Sequence, residues 1–192
     1  MRIVGGRWRG RSLLGPVPPG TRPTADRLRE TLFNLLAHAH GDPVPGARVL
    51  DLFAGTGALG FEALSRGAAF ALQVEAEPDA GRLIRRNSAA LGCGGTSALL
   101  RQDATRLGPA GALAPFDLVF ADPPYGRELA RPALLACAAG GWLRAGALAV
   151  VEEKGDGFAF PEGFAEQDRR RYGGTALAFG RFAGLEGALT ED

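Results

Sequence analysis

Asp122-Pro123-Pro124-Tyr125 closes the apolar run Phe116-Asp117-Leu118-Val119-Phe120-Ala121. That run reads as a buried strand. Two prolines cannot continue a sheet ladder, and they hold the backbone extended, so a carboxylate and an aromatic ring are fixed at the strand's carboxyl end. In open α/β sheets ligands bind outside that end. A carboxylate beside a rigidly held ring suits the binding of a flat, amine-bearing group. Taken alone, the tetrapeptide reads equally as a turn that ends a strand.

A second motif lies upstream: Val49-Leu50-Asp51-Leu52-Phe53-Ala54-Gly55-Thr56-Gly57-Ala58-Leu59-Gly60. It reads as a strand, a glycine-rich turn and the start of a helix, and it contains the G-x-G-x-x-G spacing of dinucleotide sites. Asp51 separates the two possible ligands. A dinucleotide brings a pyrophosphate to the helix N-terminus, where a carboxylate repels it. S-adenosylmethionine brings an ammonium and a sulfonium, which a carboxylate attracts. Phe53, Ala54, Gly55 and Gly57 then form the loop against the ligand, the glycines allowing close backbone approach. Glu75 ends the next strand, where an acidic residue can accept from both ribose hydroxyls. Asp103, before Ala104, ends the third and can accept from an adenine amine; as a lone residue it reads equally as a helix cap. Asp51, Glu75, Asp103 and Asp122 thus terminate successive strands along one sheet edge. No metal site is expected: His38, His40, Cys93 and Cys137 are the only histidines and cysteines, and none has ligand spacing.

Those residues need a scaffold, and 192 residues with 46% hydrophobic and 22% charged content suffice for one substantial core. No run approaches the roughly 18 apolar residues of a membrane span, and the start of the chain has no signal-peptide character. Cytosol is the expected location. The net charge of +1 conceals an uneven distribution: residues 1–30 carry +5 and the remainder −4. Lys154 is the only lysine, so the basic arm is entirely arginine, which forks onto phosphates and stacks on bases. A basic arm on an acidic body points to an anionic polymer as partner. Arg2, Arg7, Arg9 and Arg11 are its candidate contacts. Trp8 between two arginines suits stacking on RNA, or else pins the arm to the core.

The spacing predicts strands at Arg48–Leu52, Phe70–Val74, Ala98–Leu100, Phe116–Ala121 and Ala147–Val151, alternating with helices at Ala58–Ser65, Pro78–Leu91 and Glu128–Ala138. This alternation implies a parallel sheet with helices on both faces. Phe164–Arg170 and Thr175–Phe182 close it as an antiparallel hairpin. Ahead of the core, Arg2–Leu13 reads as a hairpin turning at Gly5-Gly6, and Gly15–Gly20 as a semi-rigid loop. A helix at Ala25–Ala39 follows, capped by Thr24, with Leu28, Leu32, Leu35, Leu36 and Ala39 on one face. The organisation is therefore an extension over 1–45, a core over 46–183 and a frayed tail over 184–192. Arg169-Arg170-Arg171 reads as a solvated edge, with contact to RNA as the second reading.

Three stretches carry a resemblance. Arg2-Ile3-Val4-Gly5-Gly6-Arg7-Trp8-Arg9-Gly10-Arg11, Arg22-Pro23-Thr24-Ala25-Asp26-Arg27-Leu28-Arg29-Glu30-Thr31-Leu32-Phe33-Asn34 and Asp51–Gly67 together resemble the bacterial 16S rRNA guanine-N2 methyltransferases. Asp122–Tyr125 matches the Asp/Asn-Pro-Pro-Tyr/Phe of methyltransferases acting on exocyclic amines. The resemblance runs from Arg2 to about Phe182 and departs from the family in its Ala-, Gly- and Arg-rich composition and its short acidic tail. It implies a Rossmann-like class I fold, a mostly parallel seven-stranded sheet in the order 3-2-1-4-5-7-6. It also implies S-adenosylmethionine as methyl donor, S-adenosylhomocysteine as product, and 16S rRNA in an assembling 30S particle as partner. A monomer without a protein partner is expected. Thr24, Asp26 and Glu30 then belong near the donor's methionine end, though Asp26 and Glu30 also read as ordering the Arg22-Pro23-Thr24 turn, and Glu30 as a solvated position.

The residues support a mechanism of their own. Guanine N2 is a poor nucleophile because its lone pair is delocalised into the ring. Asp122 and the Pro123 carbonyl can accept both amine hydrogens and turn the nitrogen toward the methyl group, while Tyr125, with Pro124 beside it, stacks on a flipped-out base. Neither a metal nor a covalent intermediate is required. Two other readings share parts of this pattern. A DNA adenine-N6 or cytosine-N4 methyltransferase shares the Asp-Pro-Pro-Tyr chemistry but needs a target-recognition region for which the chain has no spare length. A non-catalytic RNA-binding protein or an NAD-dependent oxidoreductase does not need both Asp51 and Asp122.

Overall fold

The computed structural model describes residues 1–15, 23–113, 115–155 and 157–185. Most of the predicted Gly15–Gly20 loop, Arg22 and the tail from residue 186 lie outside them. Seven strands form one sheet: β1 (Arg48–Asp51), β2 (Phe70–Val74), β3 (Ser97–Leu100), β4 (Phe116–Ala121), β5 (Leu143–Lys154), β6 (Phe164–Tyr172) and β7 (Thr175–Phe182). Their order is β3-β2-β1-β4-β5-β7-β6, with β7 alone antiparallel to its neighbours. This is the Rossmann-like class I methyltransferase topology. β1, β2 and β4 are nearly all apolar because both their faces are covered, whereas β6, at the edge, carries many charges that keep it from pairing further.

Four helices cover the sheet: α1 (Pro23–Ala39), α2 (Ala58–Ser65), α3 (Pro78–Leu91) and α4 (Ala130–Ala139). On one face Leu32, Phe33 and Leu36 of α1, Phe61 and Leu64 of α2 and Ile84 of α3 share a core with Ile3, Trp8 and Leu13 of the arm. On the other, Ala133, Leu134 and Cys137 of α4 pack with Leu107, Trp142 and the inner side chains of β4 and β5. Because the helices return the chain between parallel strands, the C-termini of α2 and α3 lie at the amino edge of the sheet, opposite the candidate chemistry.

Several expected elements are redrawn. The arm does fold back on itself, but through a single Arg2–Ser12 bridge and a 3-10 turn at Gly6–Trp8, not a two-residue Gly5-Gly6 turn. The cause is contact with α2: a Cβ at Gly6 would lie 2.0 Å from the Ser65 carbonyl oxygen. α1 begins at Pro23, so Thr24 is a helical residue rather than the cap, proline being favoured at the first helical position. β3 starts one residue early, at Ser97, and α4 starts late, at Ala130. β5 runs to twelve residues, its register against β4 shifting between Phe116 and Leu118 where Arg144-Ala145-Gly146 loops outward with Gly146 at φ 83°. That bulge hides the start of β5 from any period-2 reading.

Buried polar groups fasten the arm. Glu62 is fully buried on α2, where Oε2 accepts from the Val4 amide at 2.8 Å and Oε1 from Arg66 Nε at 2.8 Å. Arg29 of α1 stands 3.6 Å from Glu62, donates to Asp26 Oδ1 at 2.8 Å, and donates to the Arg2 carbonyl. Ser65 Oγ donates to the Gly5 carbonyl and accepts from the Trp8 amide, while Asn87 of α3 exchanges two hydrogen bonds with the Leu14 backbone.

Candidate active site

β1 ends on Asp51, which is buried because Leu50 and Leu52 draw this strand end into the core. Its Oδ2 accepts from the Gly60 amide at 3.2 Å, and its buried Oδ1 has no hydrogen-bond partner among the described residues. Burial raises the Asp51 pKa to about 7, with the nearby Glu75 charge adding to the effect. A carboxylate held this way is poised for a cation. The glycine loop then divides by role. Gly55 has φ 55° with open space where a side chain would stand, so its backbone is exposed to a ligand. Gly57, at φ 81°, has no such freedom: a Cβ there would lie 2.2 Å from Gln73 Oε1 and 2.4 Å from the Phe61 ring. Phe53 is half-buried and Ala54 buried, both as part of the loop wall.

Glu75 follows β2 directly and ties the loop to that strand, Oε2 accepting from the Gly55 amide and Oε1 from the Glu77 amide, each at 2.8 Å. Each oxygen keeps a second lone pair for a ligand hydroxyl. Asp103 caps a short 3-10 turn, its Oδ1 accepting from the Thr105 amide at 2.9 Å and hydroxyl at 2.8 Å, and these bonds hold its pKa below the usual carboxylate value. The cap is the structural role of Asp103. Ala104 is buried.

β4 delivers Asp122 to the same sheet edge as Asp51, two residues beyond Phe120, which pairs with Asp51 on the neighbouring strand. Pro123 is buried, Pro124 exposed, and Tyr125 is 50% exposed. The Tyr125 hydroxyl turns inward and donates to Glu152 Oε1 at 2.9 Å. Burial and the Glu152 charge push the Tyr125 pKa up to about 12, while burial raises that of Glu152. One face of the ring is therefore presented while its hydroxyl is anchored. Glu152 was not singled out from the sequence. It sits in the acidic pair that ends β5, and only the register of β5 against β4 puts it behind the ring. Tyr172, 37% exposed, reaches the same edge at the β6–β7 turn and was likewise unforeseen.

The arm and α1 carry the remaining expected residues. Trp8 is 9% exposed and packs in the core, so it pins the arm and its ring is not free to stack on RNA. The Arg7 guanidinium covers it at 4.1 Å from the ring centroid. Arg7, Arg9 and Arg11 are exposed at the arm's tip beside the ends of α2 and α3, where Arg11 donates to the Ala90 carbonyl. Arg2, also exposed, stands at the arm's other end, paired with Ser12 and next to Met1, whose Sδ accepts from Thr56 of the glycine loop. Asp26 is engaged by Arg29, so it orders the arm, and Glu30 is exposed. The Thr24 side chain lies outside the described residues. Among the described residues no cluster of His, Cys, Asp and Glu has metal-binding geometry, and no helix is long and apolar enough to cross a membrane.

The topology and the paired tips of β1 and β4 define a class I methyltransferase. Comparisons with known proteins narrow this further. The family described as Conserved hypothetical protein 95 matches residues 1–181, and the chain belongs to that family. Ribosomal RNA small subunit methyltransferase D of Escherichia coli K12 is 43% identical over 154 residues, covering 80% of this chain and 75% of that protein. The protein of the same name from Haemophilus influenzae is 38% identical over 159 residues, covering 81% and 80%. The solved structure of yhhF from Escherichia coli superposes with a TM-score of 0.79 at 36% identity, covering 96% of this chain and 99% of that one.

Proposed function

We propose that this protein transfers a methyl group from S-adenosylmethionine to the exocyclic N2 of a guanine in 16S rRNA, during assembly of the small subunit in the cytoplasm. The observation that carries the reading is the adjacency of two sites: an unsatisfied buried carboxylate in a glycine loop at the tip of β1, and Asp-Pro-Pro-Tyr at the tip of β4. Neighbouring strands lie about 4.8 Å apart, so a donor and an amine seated on these tips are within reach of each other. The names of the relatives support RNA as the substrate class, and the arginine arm agrees with it.

The residues fit the donor. Asp51 has an unused buried oxygen and a raised pKa, both of which a cationic ligand group relieves. Gly55 and Glu75 offer a backbone cradle and spare acceptor capacity. When bound, S-adenosylmethionine supplies a methyl group on a sulfonium. The chain does the rest by positioning. Tyr125, anchored by Glu152, holds the target base by its face. Asp122 and the Pro123 carbonyl accept the two amine hydrogens, so the nitrogen lone pair is drawn out of conjugation with the ring. After transfer the nitrogen gives up one proton, and the Asp122 carboxylate is its first acceptor.

The test is methyl transfer from labelled donor to small ribosomal subunits, naked 16S rRNA and duplex DNA, followed by nucleoside analysis. The expected product is N2-methylguanosine in rRNA. Label in DNA alone, or in a nucleoside other than guanosine, overturns the reading.

A further inference from the structure

One residue past Tyr125 the chain borders a cavity of about 340 Å³, between the start of α4, the end of β5 and the segment that follows β5. Its walls include Gly126, Glu128, Arg131, Glu153, Lys154 and Phe158. The size is that of a small-ligand site, large enough for a nucleobase.

Its lining is unusual in three respects. Four charged side chains meet there, yet among the described residues none of Glu128, Arg131, Glu153 and Lys154 is in an ion pair. The four side chains line the concavity without pairing with one another, and Glu128 and Glu153 stand close enough for their charges to interact. Glu128 also adopts φ 50°, a left-handed conformation that a residue with a side chain avoids unless its surroundings impose it. Finally, the aromatic wall is rigid: Phe158 packs edge-on against Phe160 at 4.9 Å, and Arg169 holds its carbonyl at 2.8 Å.

An aromatic face, two cations and two carboxylates are the groups that bind a single unstacked nucleotide, through stacking, phosphate and an amine-bearing base edge respectively. Carboxylates accept only. They pair with the amine edges of cytosine, adenine or guanine and gain least from uracil, which lacks an exocyclic amine. The cavity begins beyond Gly126, past the ring assigned to the target base, so it is placed for a neighbour of that base. Resting on the function proposed above, we infer that this cavity receives the nucleotide adjacent to the target guanine. Glu128 and Glu153 read its amine edge, and Arg131 and Lys154 hold its phosphate.

The experiment uses small subunits reconstituted from 16S rRNA transcripts in which each neighbour of the target guanine is replaced in turn by all four bases. At one neighbour, uracil is expected to lower kcat/KM roughly tenfold against the preferred base. Glu128→Gln combined with Glu153→Gln should flatten that preference to about twofold while still methylating the same guanine. Glu128→Gln alone, at an exposed position, should flatten it in part and guards against misfolding of the double variant. Independently of activity, 2-aminopurine at that neighbour should gain fluorescence on binding, as it leaves the base stack for the cavity, and less so in Phe158→Leu. Equal rates for all four bases at both neighbours overturn the inference, as does a preference that survives both glutamine substitutions. Failure to methylate any RNA overturns instead the function on which it rests.

Discussion

Asp51 is ionised or not according to what binds beside it. In the free protein its pKa of about 7 lies above the ordinary 3.8, so the folded chain holds this proton more tightly than the unfolded chain. Its contribution to stability therefore falls as pH rises from about 4 to 7, where the buried charge must be carried. A cationic ligand reverses the preference, and donor binding below pH 7 should release a proton. Affinity is expected to rise roughly tenfold between pH 6 and pH 8, measured by calorimetry in buffers of different ionisation enthalpy. Affinity that is flat over that range, or a slope that persists in Asp51→Asn, removes Asp51 from the donor site. Asp122 is predicted to behave differently: Asp122→Ala should lower turnover at least about 100-fold with donor affinity nearly intact. A collapse of donor affinity in that variant would mean the two carboxylates share one role. The Tyr125–Glu152 bond makes a third case. If Glu152 acts through the hydroxyl, Tyr125→Phe and Glu152→Gln should each cost about tenfold in kcat/KM, and the double variant no more than the worse single. With Tyr172 the only other tyrosine, absorbance titration should show one phenol ionising near pH 12, moving down in Glu152→Gln.

At the scale of elements, the strands were legible where burial on both faces writes an apolar run between turn residues. β2, β4 and β7 begin and end where their residues imply, as do α2 and α3. β5 was read short because Gly146 and the exposed residues before it break the pattern, and the reason for the break lies in the partner strand. The arm departs from its sequence pattern for a related cause. Gly5-Gly6 carries the signature of a hairpin turn, but what shapes it is the surface of α2 some sixty residues away. The candidate site divides likewise. Asp51, Glu75 and Asp122 were legible because each ends or directly follows its own strand, whereas Glu152 depends on pairing between strands, which a linear pattern does not record. Glu62 sat unremarked inside a recognised motif, yet it joins arm, α1 and α2. Removing a buried, paired charge leaves its partners unsatisfied, so Glu62→Ala should destabilise by roughly 3–5 kcal/mol in urea titrations. Hydrogen exchange at Val4 should rise with it. Native protection of Val4 in a destabilised variant would separate the arm from Glu62.

Across the whole molecule, charge and chemistry are set apart. Residues 1–30 carry +5, but Arg7, Arg9 and Arg11 cluster at the arm's tip by the C-termini of α2 and α3, at the amino edge of the sheet, while Asp122 and Tyr125 occupy the carboxyl edge. The strands between are four to six residues long, so the two regions are separated by roughly 13–20 Å. Guanidinium groups at helix C-termini also complement the helix dipoles, so part of their purpose is structural. For the same arginines to serve RNA, the substrate must extend along the arm's flank as well as reach the loop at Asp122–Tyr125. Replacing Arg7, Arg9 and Arg11 with glutamine should therefore weaken binding of a long folded RNA and reduce its salt slope by about 2. Methylation of a short oligonucleotide that reaches only the Asp122–Tyr125 loop should be unaffected. An unchanged slope on long RNA assigns the tip to the fold alone. An equal loss on short and long substrates would bring the arm's tip and the Asp122–Tyr125 loop under one small ligand, contrary to their placement at opposite edges of the sheet.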